Sequence, residues 1–520
     1  MTASNAQPDL LLVNFDAGVT APRDSVTGNI ESVLIAGGRA RASSTGDDNQ
    51  HHTAAEARVI DCQGLPLLPG FVDAHCHVMA YASSLLAVDC NTPAVSSIAD
   101  INNAILVRAK STPEGQWVRA VNYHEFDLAE KRHPTRHDLD RISPNHPVRL
   151  LHQSGHAMVL NSLGLLAAGI TSATDEPQGC TIDRDPVTGE PTGLLLEMAD
   201  FIRNRIPRLT ADELGAATRM ASDKFLSYGI TSVCDASPGN TPQYHRRMEK
   251  LQQNGDFIPS VNMMVGAVHM DEFANEGHAK GAGYDRLSPG HVKIMVTLSS
   301  GSLSPSQDEL TDLIDKAHAL QWPVAIHTVE VEALKAALNA LEGALPMSEG
   351  YPRDRIEHCS ECPYNLLPRL ARLKVAVINN PGFIYHNGDR YLAETQEEHI
   401  SWLYRVKSLL EHDVPAFAGS DAPVADPNPL LGVYGAIARR TSSGQQLNAG
   451  EGIGLRQAIS LYNLRLDETR QGGFHHRYIG DNGPADLVLL DRSLNEDEPE
   501  ELLKTKVVLT IRDGEVVYEG

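Results

Sequence analysis

The stretch Leu65-Pro-Leu-Leu-Pro-Gly-Phe-Val-Asp-Ala-His-Cys-His-Val78 decides how this chain is read. It is a mostly apolar run that turns at Pro69-Gly70 and ends in His75-x-His77. If Phe71 to Val78 is a strand, side chains two apart project to the same side. His75 and His77 then present two imidazoles together, while Cys76 faces the opposite wall. Two neutral imidazoles on one rigid strand make half a site for zinc or a similar divalent ion. The chain holds 22 histidines, so a His-x-His pair also arises by chance, and the pair alone leaves the two readings evenly balanced. The remaining chain has to supply the missing ligands.

At 520 residues the chain is long enough for a large core and more than one domain. A hydrophobic content of 42% and a charged content of 21% are ordinary for a soluble globular protein. The formal net charge of −23 argues against nucleic acid and anionic membrane as partners, since both want a basic face. The first residues, Met1 to Pro8, have neither the basic start nor the apolar core of a signal peptide, and no apolar run reaches membrane-spanning length. Seven scattered cysteines suit a reducing compartment, and the expected location is the cytoplasm. Cys359-x-x-Cys362 has no second pair and does not read as a zinc knuckle.

Short apolar runs at both ends, Leu10 to Phe15, Ser32 to Ala36, Arg58 to Asp61, Ala485 to Asp491 and Val507 to Tyr518, are punctuated by turns at Gly37-Gly38 and Asp513-Gly514. Each end is too thin to build a core alone. Pairing residues 1–64 with 472–520 as one small β-sandwich domain solves that problem. Between them, over residues 65–471, apolar strand-like runs alternate with amphipathic helical stretches. The runs are Phe71 to His77, Ile230 to Asp235, Ile258 to Ala267, Val292 to Leu298, Val324 to Val329, Arg355 to Cys359, Val375 to Asn379 and Val414 to Ser420. Eight such runs with helices between them predict an α/β fold, a (β/α)₈ TIM barrel. Residues 80–228 are too many for one βα connection and are expected to be a large cap insertion after the first barrel strand.

In such barrels the chemistry sits at the C-terminal rim of the strands. The first run ends in His75-x-His77, the fourth carries Lys293 near its start on this placement, the fifth ends at His327, the sixth at His358, and the eighth runs into Asp421. Each alone has an ordinary explanation: a solvated lysine, core histidines, a helix cap at Gly419-Ser-Asp-Ala-Pro423. Together they place metal-compatible groups at five strand positions, which chance does not readily supply.

With these motifs in view, the chain resembles the metal-dependent amidohydrolase superfamily. Within it the chain is most similar to the branch, amidohydrolase family 3, that contains N-substituted formamide deformylases. The resemblance covers nearly the whole chain. Its marks are Pro69 to His77, Leu139 to Val148, Gly155-His-Ala-Met-Val-Leu-Asn161, Gly189-Glu-Pro-Thr-Gly193, Ala325-Ile-His327, Ile356-Glu-His358, Gly419-Ser-Asp421 and Gly483-Pro-Ala-Asp486. It implies that His75 and His77 bind one divalent metal and His327 and His358 another, with zinc the expected metal. Lys293 would be the carboxylated lysine bridging the pair, and Asp421 a metal ligand beside the catalytic water. Two cations about 3.5–4 Å apart repel unless anions lie between them, which a lysine carbamate and a hydroxide supply. Asp421 would accept the water's proton and pass it to the leaving nitrogen. His156, in Gly155-His156, is either packed in the cap or reaches the barrel mouth to stabilise a tetrahedral oxyanion. His124, His152 and His386 are weaker candidates for lining the pocket.

The leading expectation is therefore hydrolysis of a carbon–nitrogen, non-peptide amide bond in a small molecule by a metal-activated hydroxide. A homo-oligomer is left open. The alternative is a mononuclear-metal deaminase of a heterocycle using Glu330, because His327-x-x-Glu330 has the spacing of a proton-shuttling glutamate in related deaminases. Three residues on, an extended chain would point Glu330 to the opposite side, so that role needs a turn at Thr328-Val329. A non-catalytic protein on the same fold is disfavoured by the full ligand set.

Overall fold

A computed structural model describes residues 9–18, 30–44, 57–92, 94–177, 179–203, 205–277, 286–298, 301–345, 353–464, 476–479 and 481–520. The chain forms two compact units: one of residues 1–77, 222–421 and 427–520, the other of 78–221 and 422–426.

The first unit is built on eight parallel strands in one sheet. We number them β1 (Phe71–Cys76), β2 (Ile230–Asp235), β3 (Ser260–Gly266), β4 (Leu287–Met295), β5 (Val324–Thr328), β6 (Arg355–His358), β7 (Ala376–Asn379) and β8 (Ala416–Ala418). They lie in chain order around the ring. Helices follow most of them, among them Gln307–Ala319 after β4 and Val331–Gly343 after β5. Every residue of β1 and β2 is buried, as expected for parallel strands covered on both faces. This is the (β/α)₈ barrel that the eight apolar runs predict.

The ring closes between β8 and β1. At one level Leu461 and Tyr462 are wedged between them, their carbonyls accepting from Ala418 (2.9 Å) and Val72 (2.8 Å). At the other, Asp421 N donates to His75 O at 2.7 Å. There Asp73 also accepts from Ser420 N (2.9 Å) and Ser420 Oγ (2.5 Å). The two histidine-bearing and aspartate-bearing strand ends are thereby stitched together.

One expectation needs correction. Lys293 is not near the start of its strand: β4 begins at Leu287, and Lys293 sits two residues before its end at Met295. The strand begins five residues before the apolar run read from Val292 and passes through Pro289-Gly290, with a register irregularity opposite Met263 to Val265. The shift carries Lys293 towards the rim that bears the chemistry.

Segments from both chain ends form two further sheets in this unit. One holds Leu10–Val13, Ile30–Ala36, Arg39–Ser44, Arg58–Asp61 and Asp481–Pro484; the other holds Leu67–Pro69, Leu487–Leu490, Val507–Arg512 and Glu515–Glu519. They share a core that includes Leu12, Val33, Leu67, Leu489 and Ile511. The turns at Gly37-Gly38 and Asp513-Gly514 join neighbouring strands as the sequence suggests.

The second unit centres on a six-stranded mixed sheet that includes Val118–Tyr123, Val148–His152, Ala157–Leu160 and Pro191–Leu196. Apolar clusters around Ile101, Ile105 and Leu150, and around Leu160, Leu165 and Leu195, supply its core. Among the described residues, no helix is long and apolar enough to cross a membrane. None of the seven cysteines is in a disulfide.

Candidate metal centre

His75, Lys293, His327, His358 and Asp421 converge at one end of the barrel, and His77 joins them just past the end of β1. Ligand atoms of His75, His358 and Asp421 lie within 4.8 Å of one another. The His358 ring centroid is 4.6 Å from that of His75 and 4.6 Å from that of His327. His77 Nε2 is 3.0 Å from Asp421 Oδ1, and His75 Nε2 is 3.4 Å from the same oxygen. Lys293 is near enough to depress the proton affinity of His75 and His327. The alternation read from sequence holds at β1: both imidazoles face Asp421, while Cys76 turns away with its thiol on the Cys234 carbonyl.

The centre is largely buried and its polar atoms are not all satisfied. His75 and Lys293 are each 1% exposed. Lys293 Nζ, His75 Nε2 and Asp421 Oδ1 are buried without a hydrogen-bond partner. Leaving three such atoms unpaired in one place costs several kcal/mol at roughly 1–3 kcal/mol each. A cation held by His75 Nε2 and Asp421 Oδ1, with Lys293 carrying an anionic adduct, would satisfy all three, so these residues fit the metal that the sequence implies.

The electrostatics agree with that use. Burial pushes the Lys293 ammonium down to about 8, against the opposing pull of Glu357 and Asp421. Burial, with Lys293 nearby, brings His75 down to about 3 and holds His327 well below its ordinary value, so both imidazoles are neutral donors. Burial alone would raise Asp421, but the close approach of His77, 3.0 Å from Oδ1, and the other imidazoles hold its carboxyl well below the usual range. Neutral imidazoles, an ionised aspartate and a lysine with a weakly held proton are the states in which these groups bind metal.

Residues that sequence reading overlooked hold the ligands in place. Glu357, fully buried on β6, accepts from His75 Nδ1 and is itself gripped by Arg355 Nε and Nη2. His358 Nδ1 donates to Asn380 Oδ1 at 2.8 Å, and Asn380 is oriented by donating to Gly419 O at 2.8 Å. His77 Nδ1 lies 3.3 Å from Ser237 Oγ, whose proton goes to Asp235 Oδ1 at 2.6 Å. Each contact ties Nδ1 and leaves Nε2 for the centre. His358 has a φ of 65°, which swings it off the strand's alternation, so that Arg355, Glu357 and His358 all serve the interior. Glu357 had one signal in sequence: a charged pair, Arg355 and Glu357, inside an otherwise strand-like run needs buried partners.

The other candidates have partners of their own. His156 belongs to the second unit, with its side chain half exposed and its Nδ1 3.1 Å from Glu197 Oε2. His124 and His152 belong to the same unit and flank Glu125, which accepts from His152 Nε2 at 2.9 Å. His386 lies on the helix Gly382–Glu394. Glu330 is the N-cap of the helix Val331–Gly343. Its charge bears on Glu361, whereas the groups that weigh most on His327 are His358, Lys293, Asp421 and His75.

Residues 58–518 match the sequence profile of the amidohydrolase family. The chain belongs to the amidohydrolase family. It is thus a hydrolase of the class acting on carbon–nitrogen bonds other than peptide bonds. This amidohydrolase is 29% identical to the N-substituted formamide deformylase of Arthrobacter pascens, over 98% of both chains. It is 26% identical to a putative amidohydrolase of Bacillus subtilis, over 90% of this chain and 92% of the other. In fold it is similar to an uncharacterised metal-dependent hydrolase of Pyrococcus furiosus, with a TM-score of 0.71 and 23% identity over 93% of this chain and 99% of that one.

Proposed function

We propose that the protein hydrolyses the amide bond of a small N-substituted amide at a centre of two divalent ions, zinc being the expected metal. His75 and His77 hold one ion, His327 and His358 the other, and Asp421 completes the set. Lys293, carboxylated, is the bridge. The observation that carries this reading is the Lys293 amine: 1% exposed, without a hydrogen-bond partner, and surrounded by neutral imidazoles and Asp421. A structural lysine at such a depth would be paired.

When bound, the metal pair supplies a Lewis acid for the substrate carbonyl and acidifies water to near neutrality. The chain's own residues do the rest. Glu357, Asn380 and Ser237 keep the imidazole protons on the outer nitrogens. Burial of Lys293 weakens its ammonium's hold on a proton, and the free amine left when that proton departs can bond to carbon dioxide and lose a second, N–H proton to become a carbamate. Asp421, its carboxyl held ionised by the imidazoles around it, accepts the proton of attacking water and delivers it to the departing nitrogen, so acid and amine products separate. His156 enters as donor to the carbonyl oxygen on the sequence resemblance alone.

The substrate class is supported by the similarity to the Arthrobacter deformylase over nearly the full length of both chains. No observation favours the deaminase reading, since Glu330 caps a helix without a side-chain hydrogen bond to it. The test is to assay zinc-loaded protein against N-alkyl and N-aryl formamides, longer N-acyl amines and aminated heterocycles. Release of a carboxylic acid and an amine from the amides supports the proposal. Ammonia release from heterocycles alone would overturn it.

A further inference from the structure

The three tethered imidazoles of the centre are not backed equally. Behind His75 stands Glu357, a carboxylate with no exposed surface, kept ionised by two contacts from Arg355. Behind His77 stands Ser237, whose hydroxyl proton is committed to the buried carboxylate of Asp235 at 2.6 Å. Ser237 N also donates to Asp235 Oδ1 at 3.1 Å, which fixes the carboxylate's orientation. Both ligands at the end of β1 therefore lean on a carboxylate, one directly and one through a hydroxyl. Behind His358 stands only the neutral amide of Asn380, its orientation set by Gly419 O. An imidazole whose outer N–H is given to a carboxylate is a stronger electron donor at its inner nitrogen than one given to an amide.

We infer that the two halves of the centre hold their ions unequally, the His75–His77 half tightly and the His327–His358 half loosely. The ranking is set by the carboxylates Glu357 and Asp235 behind the first pair. The inference rests on the two-metal reading above and adds to it an order of filling. The His75–His77 position fills first and survives mild chelation. The other position exchanges with the medium, so activity follows the second ion and not the first. Glu357 and Asp235 are positioning residues in this account: they touch ligands, not substrate.

The experiment is a titration of metal-free protein with zinc against a chromophoric chelator, which reads the two dissociation constants without recourse to turnover. Wild type gives two separated constants. Glu357→Gln, which puts an amide behind His75 as behind His358, weakens the tight ion by about 10- to 100-fold and leaves the loose one unchanged, so the two constants converge. Asn380→Ala does the reverse and widens the gap. Because Glu357→Gln leaves Arg355 as a buried unpaired cation and could cost the fold, Ser237→Ala gives an independent reading: it cuts only the His77 link and weakens the same tight ion. A merely structural role would raise both dissociation constants together. Equal constants in wild type, or a tight ion indifferent to both Glu357→Gln and Ser237→Ala, overturn the inference. A single ion in wild type that weakens with Glu357→Gln and ignores Asn380→Ala removes the two-metal reading while leaving the carboxylate-backed pair as the stronger holder.

Discussion

Gly419 lies so close to His75 that a Cβ built on it would fall 2.5 Å from the His75 Cβ and 2.6 Å from the His75 nitrogen. No side chain fits there. The absence of one lets β8 approach β1 until Asp421 N reaches His75 O at 2.7 Å, which is what sets Asp421 against both histidines. Gly419→Ala should therefore push the strands apart and cost on the order of 1–3 kcal/mol, because the obstructing atoms include backbone. Denaturant unfolding of metal-free protein measures it. A wild-type midpoint together with wild-type zinc content would contradict the closure described here.

The four imidazoles are expected to be separately necessary. His75→Ala, His77→Ala, His327→Ala and His358→Ala should each lose bound metal and nearly all turnover while far-ultraviolet circular dichroism still reports a folded barrel. Elemental analysis of the purified variants decides the matter. Normal metal content and turnover in all four would dismiss the centre.

The buried amine gives a pH dependence with a definite sign. Lys293 is pushed down from 10.5 to about 8, so it is an ammonium below about 8 and a free amine above it. Only the amine combines with carbon dioxide. Incorporation of labelled bicarbonate into metal-free protein should climb as pH passes through about 8, and be absent in Lys293→Ala. A climb only near 10.5, the ordinary lysine value, would mean that burial does not act on this amine as described. Short carboxylic acids should partly restore turnover to Lys293→Ala by replacing the missing anion.

Asp421→Asn keeps the shape of the side chain and removes its capacity to take a proton. General acid–base steps contribute about 10²–10⁴-fold, so the turnover number should fall by at least that range with little change in the Michaelis constant. Near-normal turnover would take Asp421 out of proton transfer.

Glu330→Gln should leave amide hydrolysis intact, since Glu330 caps a helix and bears on Glu361 and not on the groups that most influence His327. Kinetics on the best amide substrate check this. A loss comparable to that of Asp421→Asn would move Glu330 into the chemistry.

The barrel was legible because its strands are buried on both faces and read as unbroken apolar runs. Their ends carry His75, His77, His327, His358 and Asp421 in plain view. Lys293 was found but misplaced along its strand, because the apolar run was read from Val292 whereas the ladder extends back to Leu287. The partners of the ligands were not legible. His75 and Glu357 are 282 residues apart, and nothing local to either announces that they meet across the barrel. Asn380, Ser237 and Asp235 escaped for the same reason, each lying on or just past a strand other than the one bearing its histidine. Gly419 was quoted as part of a motif without its cause, which is the closeness of β8 to β1 and appears only once the ring closes.

The most direct test of the central claim is an electron-density map of the zinc-loaded, active protein, with anomalous scattering recorded at the zinc edge. The account predicts two anomalous peaks, one on His75 and His77 and one on His327 and His358, with planar density for a carboxylated Lys293 between them and Asp421 alongside. A bare ammonium at Lys293 in fully loaded, active protein, or a single peak, would contradict it.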